Sequence, residues 1–214
     1  PLNHREYRLY IFVRFFYIMA LRMVATVVAY QLFHLTKSSF SIGVVGLSEF
    51  IPVFSLALYA GHVIDRSDKR TLLLRCILLY SVCVLALIII TVPNIENKIS
   101  ITTLSFLFYL VIFCTGAIRS FAGPATNAII AQLVPKNILQ YAANISSTTW
   151  LAASIIGHAS GFLIALAGVH FTFYIIIIYV WLAAYAVSKI EKKPVVHNRA
   201  DVKTWDSVKE GLSY

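Results

Sequence analysis

The stretch Gly61-His62-Val63-Ile64-Asp65-Arg66-Ser67-Asp68-Lys69-Arg70 crowds five charged side chains into ten residues. The runs it joins, Ser41–Ile64 and Thr71–Val92, hold one charged residue each, Glu49 and Arg75. Each run comes close to the roughly 20 residues that a helix needs to cross a hydrocarbon core about 30 Å thick. Two long apolar runs separated by a short charged connection read as a hairpin of membrane-spanning helices.

The rest of the chain repeats the pattern. Hydrophobic residues make up 59% of its 214 positions and charged residues 13%, about half the charged share of an ordinary soluble domain. Lipid can cover so much apolar surface; a soluble fold with this composition could not. A helix-length window finds six spans, at Tyr10–Leu35, Ser41–Ile64, Thr71–Val92, Ile101–Ala122, Ala142–Ala167 and Val169–Ser188. Val92-Pro93-Asn94 closes the third, and Val134-Pro135-Lys136-Asn137 precedes the fifth. The fourth apolar stretch continues past Pro124 to Leu133, which reads as one long helix kinked or broken near Gly123-Pro124. The expected fold is an all-α polytopic membrane protein, with a six-helix bundle over 1–190 and a polar segment over 191–214. In that segment Trp205, Val208 and Leu212 have the spacing of a short amphipathic helix, and a plain linker is the other reading.

Lysine and arginine placement sets the orientation. With the N-terminus in the cytoplasm, the inner side holds Arg5, Arg8, Arg66, Lys69, Arg70, Arg75, Lys136 and the basic residues from Lys189 onward. The outer side holds only Lys37 and Lys98. The positive-inside rule then puts both termini in the cytoplasm, and an even number of spans agrees with it. Because the net charge of +9 is distributed this way, with no basic stripe among exposed aromatics, it does not indicate nucleic acid. Cys76, Cys83 and Cys114 lie in apolar runs without metal-ligand spacing and read as buried small hydrophobes. There is no H-E-x-x-H, no G-x-S-x-G and no phosphate-cradling glycine loop, so neither an enzyme nor a metal or cofactor site is expected.

Four spans contain ionisable residues where they are costly, roughly 2.5–3.5 kcal/mol each on insertion scales. Arg14, near the inner end of the first span, can extend to the headgroups. Arg22 lies near the middle of that span, Glu49 in the second, Arg119 in the fourth and His158 in the fifth. The third and sixth carry nothing comparable within their apolar stretches. The division predicts four helices around a wet cavity and two packed behind them. Glu49 and Arg22 admit two readings: a buried pair that only orients helices, or groups lining a substrate path, one of which titrates. Desolvation favours a neutral carboxyl, which makes Glu49 the first candidate to carry a proton. His158 is the second, since histidine titrates near pH 6.5, with a hydrogen-bonded packing histidine as its other reading.

Gly61 through Arg70, placed between the second and third spans, resembles the signature loop of the major facilitator superfamily: glycine, three mostly apolar residues, Asp65-Arg66, then the basic pair Lys69-Arg70. Gly61 is expected there to allow close helix approach. Asp65 is expected to accept bonds from Arg66 or Arg70, or to face the N-terminus of another helix. Asp68 stands where the family usually has glycine. Residues Tyr30–Ser39 and Gly43–Leu47, Arg119-Ser120-Phe121-Ala122-Gly123-Pro124-Ala125, and Trp205–Leu212 are similar to the branch of enterobactin and macrolide exporters. The resemblance implies the N-terminal half, built of 3+3 inverted repeats, of a transporter in the cell inner membrane, with the C-terminal six-helix half as its missing partner. It further implies proton-coupled efflux, by antiport, of a small amphiphilic molecule such as a siderophore or drug. Glu49, Arg22, Arg119 and His158 are the coupling candidates, and Arg119 matches the family's fourth-helix arginine. The fifth span keeps Gly157 and Gly161 but lacks the Gly-Pro element of antiporters. A six-helix membrane scaffold without transport activity is the alternative.

Overall fold

The computed structural model describes residues 1–192 apart from Asn3 and Asn97; the expected amphipathic segment around Trp205 lies outside the described residues. Six long helices account for nearly all of them: α1 (Arg5–Thr36), α2 (Ser39–Arg66), α3 (Lys69–Ile90), α4 (Ile101–Leu133), α5 (Leu139–Ala159) and α6 (Phe162–Ser188). A single helical turn, Pro93–Glu96, and a 3-10 turn, Lys136–Ile138, sit in the connections.

The ends have local causes. Lys37 stops α1 in the left-handed region at φ 51°, and its N–H bonds the carbonyl of Phe33 at 2.8 Å. Asp68 caps α3 by accepting from the Thr71 N–H at 3.1 Å and from the Thr71 hydroxyl. An aspartate in place of the family's glycine therefore has a structural function, as an N-cap. Ser100 caps α4 in the same way, at 3.2 Å from the Thr103 N–H.

Two expectations need adjustment. The fourth helix runs from Ile101 to Leu133 with Pro124 inside it, so the expected long helix is present and, of the two forms expected near Gly123-Pro124, the break is not. The fifth expected span, Ala142–Ala167, is interrupted: α5 ends at Ala159, and the chain turns at Ser160-Gly161 before re-entering helix at Phe162. There Ser160 Oγ donates to the Gly157 carbonyl at 2.5 Å, and the Gly161 N–H bonds the His158 carbonyl at 3.2 Å. The expected boundary before Val169 is present as well, at Gly168, whose φ of 81° and ψ of 167° interrupt α6. Only glycine takes that conformation cheaply.

Among the described residues, five helices are long and apolar enough to cross a membrane: α1, α2, α3, α4 and α6. The exception is α5, whose N-terminal half reads Asn144-Ile145-Ser146-Ser147-Thr148-Thr149.

Packing pairs α2 chiefly with α4, α1 with α6 and α5, and α3 with α4 and α6. Exchanging α1–α3 for α4–α6 maps these pairs onto one another. The large core lies among α1, α3, α4 and α6, around Met23, Tyr80, Phe108 and Phe173, with Tyr17 edge-on to Tyr80 at 5.7 Å. Apolar side chains on α2 such as Phe40, Phe50 and Phe54 face outward, as lipid allows.

Arg70 ties the start of α3 to the end of α6. Its Nε lies 3.2 Å from the carbonyl of Val187 and 3.1 Å from that of Ile190, and a terminal nitrogen donates to Ser188 at 2.7 Å. A cation there satisfies orphan carbonyls and complements the negative end of α6. Arg70→Gln is expected to cost about 1–2 kcal/mol, seen as a lower midpoint of thermal unfolding in detergent. An unchanged midpoint would show that water replaces the arginine without loss.

Candidate functional site

A crevice of about 170 Å³ opens between the helices. Its lining comes from α1 (Arg14, Tyr17, Arg22 and neighbours), α2 (Val53), α4 (Arg119, Thr126, Asn127) and α5 (Trp150). These are the four helices that carry Arg14, Arg22, Glu49, Arg119 and His158; α3 and α6 contribute nothing to the lining.

Arg119 reaches across to Glu49, forming an ion pair between α4 and α2. Close helix approach makes this possible. At Gly116, one turn before Arg119, an added Cβ would lie 2.5 Å from the Glu49 carbonyl oxygen and 2.7 Å from the Pro52 ring. Absence of a side chain there lets the α2 backbone rest directly on α4. The two side chains remain 31% and 28% exposed, so the pair is open to water and to exchange of partners. Arg22 is not the partner of Glu49. It spans from α1 to α5 instead, with its guanidinium 5.4 Å from the centre of the Trp150 ring.

Gly157 does for α1 and α5 what Gly116 does for α2 and α4, since a Cβ there would lie 2.7 Å from Arg22 Cβ and 2.9 Å from the Met19 carbonyl. His158, the next residue, is exposed and outside the crevice lining. Its Nδ1 lies 3.0 Å from Thr26 Oγ1, whose hydroxyl donates to the Arg22 carbonyl at 3.1 Å. His158 is thus engaged with α1, and the structure does not bring it to Glu49.

Arg14 departs from expectation. Rather than extending to the headgroups it is buried, with Nε donating to the Ser146 carbonyl at 3.0 Å. A terminal nitrogen donates to Tyr10 Oη at 3.2 Å and to Asn127 Oδ1 at 3.1 Å. Tyr10 Oη also bonds Ser146 Oγ at 2.9 Å, and the result is a polar network joining α1, α4 and α5. Sequence reasoning missed Tyr10, Asn127, Ser146 and Trp150 here. The usable signal was Arg14 itself, because a charge in a span needs partners, but nothing in the sequence said which.

At the loop, Asp65 is exposed and makes no hydrogen bond or ion pair with the described residues. Neither Arg70, committed to α6, nor Lys69, whose Nζ lies 3.3 Å from the Ile64 carbonyl, meets it. Arg66 is exposed beside it. Among the described residues Gly61 approaches no other helix, since an added Cβ there would meet nothing within 4 Å. Close approach within them belongs to Gly116 and Gly157. Among the described residues no cluster of histidine, cysteine or acidic side chains could hold a metal.

No similar curated protein and no similar solved structure was found. A bundle of long apolar helices with charges gathered at an internal crevice, and the charged connection between α2 and α3, has a counterpart at the level of families. The model described as Major Facilitator Superfamily matches residues 10–212, from within α1 to beyond α6, and the chain belongs to that superfamily of membrane transporters.

Proposed function

We propose that residues 1–190 form the N-terminal six-helix half of a proton-coupled transporter, with both termini cytoplasmic and 191–214 leading toward a second half. Its substrate is a small amphiphilic molecule such as a siderophore or drug, and export is the direction that the enterobactin and macrolide exporter resemblance implies. In this reading α5 also crosses the membrane, its polar half shielded by α1 and the crevice. The exchange relation between the packing pairs of α1–α3 and α4–α6 supports an arrangement of inverted repeats.

The observation that carries the coupling is the Glu49–Arg119 pair at the crevice edge. A proton on Glu49 abolishes its charge and frees Arg119, weakening the attraction between α2 and α4. Proton binding then biases the packing of these helices, which is what coupling to a two-state transporter requires. Asp65, exposed at the inner end of α2, is free to engage a helix of the second half in one of those states.

The test is gradient-driven flux by the complete transporter in proteoliposomes. A pH gradient is expected to drive substrate movement that a protonophore collapses to the passive leak. Flux that ignores the pH gradient and follows the substrate gradient alone would refute proton coupling.

A further inference from the structure

The charges around the crevice do not cancel. Three arginines line it, Arg14, Arg22 and Arg119, and among the described residues the only carboxylate on any of them is Glu49, on Arg119. Arg14 is satisfied by neutral oxygens from Tyr10, Asn127 and Ser146. Arg22 is different. A guanidinium has five N–H donors in a planar fork, and within the described residues Arg22 meets no carboxylate and no acceptor, only the ring of Trp150. Tyr17, 3% exposed and also part of the lining, has a buried hydroxyl with no hydrogen-bond partner. The buried Tyr17 donor left unmade is costly, and Arg22, half-buried and without a counter-charge among the described residues, attracts anions more strongly than a cation in bulk solvent.

We infer that the crevice binds an oxyanion, a carboxylate or phosphate-type group carried on a flat aromatic body. Arg22 supplies the bidentate donor and Trp150 the surface on which the body stacks. The fork geometry matches such groups. At about 170 Å³ the crevice has room for roughly five or six waters, enough for the anionic head and its first ring but not for a whole amphiphile. The assignment rests on the reading above that this crevice is the transport site.

The experiment is a charge series on the unmodified full-length protein in detergent, read by quenching of Trp150 fluorescence and corrected with Trp150→Phe. The probes are 2-naphthoate, 2-naphthamide and 2-naphthylmethylammonium, alike in shape and differing in charge. Naphthoate is expected to half-saturate at a concentration at least about tenfold below the other two, the worth of one charge-assisted bidentate contact. R22Q is expected to erase that advantage, and R22K to restore it in part. Equal binding of all three overturns the anion assignment and leaves the transport reading standing. No quenching by any of them removes the crevice as a ligand site and takes the transport-site reading with it. Nanodiscs separate the two sources of such a group. Naphthoate binding that survives in phosphatidylcholine but vanishes with phosphatidylglycerol would give the site to lipid headgroups and overturn the substrate assignment.

Discussion

Glu49→Gln is expected to end proton-driven transport by the complete protein while leaving its helices assembled. Glutamine keeps the shape of the protonated acid and still offers Arg119 an oxygen, but it cannot give up or take a proton. Because both partners of the pair are about 30% exposed, its worth to stability is modest, about 1 kcal/mol or less once solvent screening is counted. The unfolding midpoint should therefore move little. Gradient-stimulated flux should fall at least about tenfold, the effect of raising a barrier by about 1.4 kcal/mol, since the variant is held in its proton-loaded form. Glu49→Asp, which still titrates but reaches less far, should fall between. Arg119→Lys should also be impaired, because a single ammonium does not replace the guanidinium fork. Undiminished gradient-driven flux in Glu49→Gln would remove Glu49 from the mechanism.

The second large effect concerns packing. At Gly116 the atoms that meet an added Cβ are the Glu49 backbone oxygen and the Pro52 ring, neither the far end of a flexible side chain. Gly116→Ala gains up to about 1 kcal/mol of helix propensity, against an overpacking cost of typically about 1–3 kcal/mol that nothing here can relieve cheaply. The net sign is destabilising. It should appear as a lower unfolding midpoint together with impaired transport, because moving α2 also moves Glu49 away from Arg119. Gly61→Ala is the matched control: nothing described lies within 4 Å of it, so its midpoint should not fall. Equal midpoints for the two variants would mean that α2 and α4 do not meet as closely as the structure places them.

These two positions also mark the limit of what patterns reveal. Gly61 stood out because it sits in a recognisable motif, and Gly116 did not because it is one small residue in an apolar run. The structure reverses their importance for packing. The same holds for the charges. Arg119 was identifiable as a costly residue in a span, but its partner could have been any carboxylate that the bundle brought near, and Arg22 was the arginine considered for Glu49.

Sequence alone determined the one-dimensional quantities: which stretches are long and apolar, where proline and glycine interrupt them, which loops are basic, and which helices carry charge. Hydrophobic run length and the cost of ions in lipid are local properties, so they are written residue by residue. Tertiary structure alone decided the meetings: Glu49 with Arg119, Arg22 with Trp150, Arg14 with a carbonyl 132 residues away. A helical period tells which face a side chain occupies but not which neighbour turns toward that face. That azimuth is set by where two backbones can approach most closely, here at Gly116 and Gly157, and it exists only once the helices have packed.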